Sequence, residues 1–367
     1  MKTADTLIIG GGIIGCSIAV ELARAGARVR LLERDRIGCE ASGEAAGMLA
    51  PQAEGVAPGP FLDLCLKSRA MFDPLQQMLK EETGIDIEYV RSGILSLLLT
   101  EEDEVHGKRQ LEAQHRRGLT VEWWDRQQVL EAEPHVTPEI RGALYLPDDH
   151  QVQNARMVRA LALLAARLGV QIIEGSPATG LVRHRDRVTG VRSLTETYHA
   201  AQVVIAAGAW SGGIGDLVGR EIPIRPARGQ LLSLETRGDL CRHILYAGKG
   251  YLTPWPNGEV VVGSTVEFAG FEKAVTVAGV EELLGLAKRL VPAAASRPIL
   301  RAWSGFRPWT PDELPYLGSV PGTPGLYIAS GHGRNGILLA PITGQLMAEL
   351  LLDKEPALSL TPFQLDR

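Results

Sequence analysis

Hydrophobic positions open the chain as a short block, Leu7-Ile8-Ile9, that stops at Gly10-Gly11-Gly12 and resumes with helical spacing at Ile13, Ile14, Ala19 and Leu22 up to Gly26. That order predicts a buried strand, a glycine turn and a helix, with Val29 and Leu31 on a second strand that ends at Glu33. Leu62, Leu66, Met71, Leu75 and Met78 predict a helix over about 61–82, and Gly93–Leu99 a strand. An amphipathic helix is expected over Met157–Leu168 and a strand over Val170–Glu174. Val203–Ala207 is a wholly apolar run ending at Gly208, the pattern of a buried parallel strand whose C-terminal end abuts a ligand. From Ile224 the texture changes to short strands: Gly229–Leu234, Gly250–Pro254 and Glu259–Ser264. The last two are joined through Pro256-Asn257-Gly258 as a hairpin. Ala302–Gly318, a strand Leu326–Ala329, a loop Ser330–Gly336 and a last apolar helix finish the chain. That last run, Ile337–Leu352, contains Gln345 and Glu349 and is shorter than a bilayer requires, so it is expected in the core.

The first unit carries the chemistry. Gly10 permits a tight turn, Gly12 lets backbone approach a pyrophosphate, and Gly15 lets the helix pack on the strand. The helix N-terminus, with Ile13 and Ile14, then faces the phosphates, and Glu33 can accept ribose hydroxyls. A bound dinucleotide is the expectation. Residues 38–54 are dense in small side chains, and Ser42, Ala45, Ala46, Gly47 and Met48 can expose backbone N–H groups to an extended cofactor. The return to a parallel strand at Val203–Ala207 implies interleaved domains: 1–84, 150–222 and 302–367 for the nucleotide, 85–149 and 223–301 for a substrate.

Composition narrows the class. At 367 residues, 45% hydrophobic and 22% charged, the chain reads as a globular protein of two or three domains. A net charge of -5 gives no electrostatic case for nucleic acid or an anionic membrane. Four scattered cysteines lack metal or redox spacing and suit a reducing cytoplasm; no metal site is expected. Lys2 before an apolar stretch faintly resembles a leader, but the glycines interrupt it and the same unit continues beyond.

Four motifs together resemble a known family. Gly-Gly-Gly-Ile-Ile-Gly at 10–15, Ala-Ala-Gly-Met-Leu-Ala-Pro at 45–51, Gly-Phe-Arg-Pro-Trp-Thr-Pro-Asp-Glu-Leu-Pro-Tyr-Leu-Gly at 305–318 and Gly-His-Gly-Arg-Asn-Gly-Ile-Leu-Leu-Ala-Pro at 331–341 are similar to the D-amino-acid oxidase superfamily of flavoproteins. The likeness spans the chain and is nearest to the glycine-oxidase branch of thiamine biosynthesis. It implies an α/β fold: a Rossmann-like FAD domain interleaved with an α+β substrate domain on a large antiparallel sheet. FAD would be bound without a covalent link, and Ala302–Gly318 offers no cysteine to form one. Arg34, Ala178, Ala207, Gly208 and Trp210 join the residues assigned to the cofactor, as do Gly331, His332, Gly333, Arg334, Asn335, Gly336 and Ile337. The resemblance also implies oxygen as electron acceptor and a homotetramer.

An enzyme that oxidises a small amino acid must clamp its carboxylate so that the Cα–H bond faces the flavin. Arginine does this through two parallel hydrogen bonds at any relevant pH. The resemblance implies that Arg307, in the segment similar to the family's substrate arginine, is the clamp, that Tyr251 is the tyrosine whose hydroxyl supplements it, and that Arg334 stands near substrate and flavin; read alone, Arg307 would be a surface ion pair and Tyr251 a core-edge residue. The N-terminal N–H groups of the last helix can stabilise the charge of a reduced flavin. His332 is expected to be structural, because the amine need only arrive neutral. Gly333 replaces a bulkier residue of some relatives, which widens the expected range to glycine, sarcosine and small D-amino acids. Two alternatives stay open: a dehydrogenase with a non-oxygen acceptor, and a non-catalytic FAD-binding subunit.

Overall fold

The computed structural model describes residues 4–236, 240–248 and 250–367; Lys2, on which the leader signal rests, lies outside them. Two eight-stranded sheets organise the chain. In the first, Leu326–Ser330, Thr197–Ile205, Ala4–Ile9, Val29–Leu32 and Gln171–Ile173 run parallel in that spatial order. Tyr316–Ser319 lies antiparallel on one edge, and the hairpin Gly180–His184/Arg187–Arg192 extends from the long strand. The parallel strands are almost wholly apolar because both faces are covered. On one face, helices Ile13–Arg24, Asn154–Arg167 and Gly336–Leu351 share a single core. The apolar run at the C-terminus is therefore a core helix, and no helix among the described residues is long and apolar enough to cross a membrane.

The second sheet runs Ile299–Trp309, Arg225–Glu235, Glu259–Gly263, Gly250–Pro254, Ile244–Ala247, Ile94–Leu98, Gly142–Leu146 and Glu122–Asp125. All pairs are antiparallel except Ile244–Ala247 with Ile94–Leu98. The hairpin predicted around Asn257-Gly258 forms. The mixed α/β architecture is as the sequence implied.

Two expectations are corrected. Ala302–Trp309, expected with the nucleotide segments, is hydrogen-bonded along Arg225–Glu235 in the second sheet. Only from Tyr316 does the chain return to the first. A run of alternating residues fits either sheet, and the partner strand decides. The single helix expected over 61–82 is two, Pro60–Ala70 and Phe72–Thr83. Pro74 has no N–H for the Ala70 carbonyl, so the first helix cannot continue and a second starts ahead of it.

Candidate active site

The strand Ala4–Ile9 delivers its C-terminal end to a cleft of about 780 Å³ lined by both sheets. Gly10 makes the turn at φ +115°, and a Cβ there would stand 2.4 Å from the Ala206 carbonyl oxygen, so only glycine fits. The Gly11 N–H donates to the Glu33 carboxylate at 2.7 Å, which ties the glycine turn to the second strand. Gly12, at the N-cap of the helix Ile13–Arg24, has no side chain to cap it. Instead the Ile13 N–H donates to Ser42 Oγ at 2.9 Å, and Asn154 Nδ2 holds the Ser42 carbonyl at 2.6 Å. The small-residue loop thereby crosses the helix N-terminus.

Of the residues proposed from sequence for cofactor and substrate, three do not line the cleft. Gly15 sits behind the turn, where a Cβ would meet the Gly10 carbonyl oxygen at 2.0 Å. Gly331, at φ +82°, packs against Thr310, and Asn335 is the N-cap residue of the last helix. All the others border it: Gly10, Gly12, Ile13 and Ile14 at the turn, and Glu33 and Arg34 after the second strand. Ser42 and Ala45–Met48 come from the loop, and Ala178, Ala207, Gly208 and Trp210 from the strand ends. His332, Gly333, Arg334, Gly336 and Ile337 lead into the last helix, while Tyr251 and Arg307 face them from the second sheet. The Arg34 guanidinium lies 3.5 Å over the Trp210 ring.

Arg307 reaches the cleft from the strand Ile299–Trp309. Its guanidinium donates to the Thr265 carbonyl at 3.1 Å and to Ser264 Oγ, and it bonds with the Tyr251 hydroxyl. Burial lowers its pKa, with Tyr251 and Glu54 acting in the opposite sense. The guanidinium lies directly over Gly229 on the neighbouring strand. Tyr251 is buried and its phenol pKa is raised, chiefly by that burial. Arg334 approaches from the other side, with Nη2 3.5 Å from Glu54 Oε2 and a hydrogen bond to Tyr246. Burial holds the Glu54 pKa above the usual carboxylate value, and Arg334 and then Arg307 offset only part of that rise.

His332 is buried, shares a 3.0 Å hydrogen bond with Thr343 Oγ1, and is driven by burial to a pKa of about 3. With its pKa lowered so far it stays neutral near pH 7. Glu54, Tyr246, Ser264 and Gly229 were not read from sequence. None of them had a signal: the strand read from sequence began at Gly229, and only the observed strand Arg225–Glu235 puts that glycine in a strand interior, where it marks close approach of another group.

Two helix N-termini, at Ile13 and at Gly336, meet the cleft without a side-chain cap from their own N-cap residues. Together with the glycine turn they fit a pyrophosphate at one place and an electron-rich ring edge at another, the two anionic demands of FAD.

The class follows from that combination: the profile of the FAD dependent oxidoreductase family (DAO) matches residues 5–350, and the chain belongs to this family. FAD is its cofactor. Within the family, the chain is 38% identical over 366 residues to the glycine oxidase of Geobacillus kaustophilus, covering 99% of this chain and 97% of that protein. The crystal structure of a glycine oxidase from Geobacillus kaustophilus superposes with a TM-score of 0.96 at 36% identity, covering 100% of this chain and 99% of the other. A bifunctional protein ThiO/ThiG of Synechocystis sp. is 39% identical over 361 residues, covering 96% of this chain and 52% of that longer protein. The resemblance read from the four motifs is borne out.

Proposed function

We propose that this protein oxidatively deaminates glycine and related small amines, sarcosine and small D-amino acids among them. The observation that carries the reading is the convergence of Arg307 and Tyr251 in the cofactor cleft of this fold, beside the glycine-oxidase likeness. Arg307 receives the substrate carboxylate through two parallel hydrogen bonds, and the Tyr251 hydroxyl adds a third donor. His332, neutral and bonded to Thr343, takes no proton, so the amine binds as its free base and water receives the proton lost earlier. The N-terminus of Gly336–Leu351 borders the same cleft and favours negative charge arriving there. Bound in this cleft, FAD would supply the two-electron redox chemistry, and the overall reaction would be glycine, oxygen and water giving glyoxylate, ammonia and hydrogen peroxide. A cytoplasmic homotetramer that feeds thiamine thiazole synthesis belongs to the same proposal, and likeness to a protein named bifunctional ThiO/ThiG supports its thiamine part alone.

The test is a screen with the FAD-loaded protein. Glycine or sarcosine should bleach the flavin without oxygen and release peroxide in air. Bleaching that air barely reverses would mean a dehydrogenase, and no bleaching with any small amine a binding subunit. Arg307→Ala removes charge-assisted hydrogen bonds worth about 1.5–3 kcal/mol and should raise KM at least about tenfold with FAD retained. Loss of FAD with an unchanged KM in the residual holoenzyme would move the clamp elsewhere.

A further inference from the structure

A buried carboxylate in a site built to bind carboxylates needs a reason. Glu54 lines the same cleft as Arg307 and Arg334; its side chain is 7% exposed, and Oε2 accepts no hydrogen bond. Its charge is offset by Arg334, 3.5 Å away, then by Arg307, and by a side-chain hydrogen bond with Asn335. Its position is built rather than incidental. The turn that presents it is pinned by Asp149, which is fully buried and takes the backbone N–H groups of Gln52 at 3.0 Å and Ala53 at 2.8 Å. Arg69 clamps Asp149 at 2.7 Å and the Gln52 side chain at 2.6 Å, and the Glu54 N–H closes the turn on the Ala50 carbonyl at 3.0 Å.

The charge count at this end of the cleft is then simple. Arg307 and Arg334 are positive, Glu54 cancels one of them, and Glu313, exposed at the rim, is screened by water. One positive charge is left over. A free-base amine with one carboxylate matches it, whereas a second carboxylate placed beside Arg334 would also face Glu54.

We propose that Glu54 is a specificity-determining residue: held against Arg334, it leaves a single unbalanced cation for the substrate and so restricts the enzyme to amines with one carboxylate, excluding dicarboxylic ones. This rests on the amine-oxidising reading above and adds a charge rule to it.

The experiment uses FAD-loaded wild type and Glu54→Gln at one pH near 8. Acetate and malonate, an unreactive monoanion and dianion, are titrated by the change in the flavin visible spectrum. Sarcosine and iminodiacetate, which differ by one carboxylate on the same secondary amine, are compared by kcat/KM. Glu54→Gln should raise both the malonate-to-acetate affinity ratio and the iminodiacetate-to-sarcosine ratio at least tenfold, and Glu54→Gln/Arg334→Gln should lose that gain. Unmoved ratios, or a gain that survives loss of Arg334, overturn the proposal. So does a uniform loss for both amines with the two acids unaffected, which would make Glu54 an ammonium ligand instead. Should Glu54→Gln fail to hold FAD, Glu54→Asp, which retracts the charge by one methylene, must shift the ratios at least threefold in the same direction, and no shift counts against the rule. If the acids shift as expected but no amine reduces the flavin, the oxidase reading fails and the charge rule stands. If amines are oxidised with unshifted ratios, the reverse holds.

Discussion

A Cβ on Gly229 would stand 2.2 Å from one guanidinium nitrogen of Arg307 and 2.5 Å from the other. The overlap falls on the far end of a flexible side chain, so the sheet need not move; the clamp must. Gly229→Ala should therefore leave folding and FAD content nearly unchanged while lowering kcat/KM for the amine at least about tenfold, since a displaced guanidinium loses the two-pronged carboxylate contact. Flavin absorbance per protein and steady-state rates check both halves, and a variant with wild-type kcat/KM would show that Arg307 reaches substrate by another route. At this scale the sequence was informative where the family resemblance picks out a residue, since an arginine alone reads as a surface ion pair and a tyrosine as core edge. Arg307 and Tyr251 belong to that kind. Glu54 and Tyr246 do not, because a carboxylate in a small-residue loop and a tyrosine in the unread strand Ile244–Ala247 acquire meaning only beside Arg334.

The loop Ser330–Gly336 and the helix it starts act as one element. Ser330 Oγ bonds Ser211 at 2.8 Å and the Gly208 carbonyl at 3.1 Å, and His332 pins the loop to Thr343, about two turns into the helix. His332 has its folded pKa of about 3 below its ordinary 6.5, so on acidification the unfolded chain takes the proton first. Stability from this residue is complete above about pH 6.5 and is lost as pH falls toward 3, by about 1.4 kcal/mol per pH unit within that window. His332→Gln, whose amide can still meet Thr343, should flatten that limb: between pH 6 and pH 5 its urea midpoint should fall less than that of the wild type. Parallel curves would mean that the imidazole is not held neutral. Elements of this kind were legible in outline. The parallel strands and the helices at Ile13, Asn154 and Gly336 follow from apolar period alone. The break at Met71 and the sheet assignment of Ile299–Trp309 do not, since the first depends on a missing donor and the second on which strand offers its edge.

At the scale of the whole molecule, the cleft exists because the two sheets are held in one relation across it, and the segment after Glu259–Gly263 does part of the holding. Val266 lines the cleft, and Phe268 meets Trp309 edge-on at 5.6 Å with Arg225 over its ring at 4.0 Å. Farther on, Phe271 stacks on Trp210 at 5.0 Å, and Lys273 Nζ reaches Glu40 at 3.0 Å. Trp210 and Glu40 both line the cofactor cleft, so a loop rooted in the second sheet grips its nucleotide side. Nothing in the local sequence announces this grip, because Lys273 and Glu40 lie 233 residues apart and two phenylalanines in a polar loop have no period to read. An aromatic pair contributes about 0.5–1.5 kcal/mol beyond the area it buries. Phe271→Ala should accordingly raise the FAD dissociation constant about two- to tenfold through a looser Trp210, while kcat/KM per bound flavin stays at the wild-type value, because the Arg307 guanidinium is held by Ser264 and Thr265 at the root of the loop. Free-FAD fluorescence on dilution, read beside peroxide release normalised to bound flavin, separates the two quantities. Undiminished FAD retention would mean that Arg34, seated 3.5 Å over the Trp210 ring, and Phe306, edge-on to it at 5.9 Å, suffice to fix that wall of the cleft without Phe271.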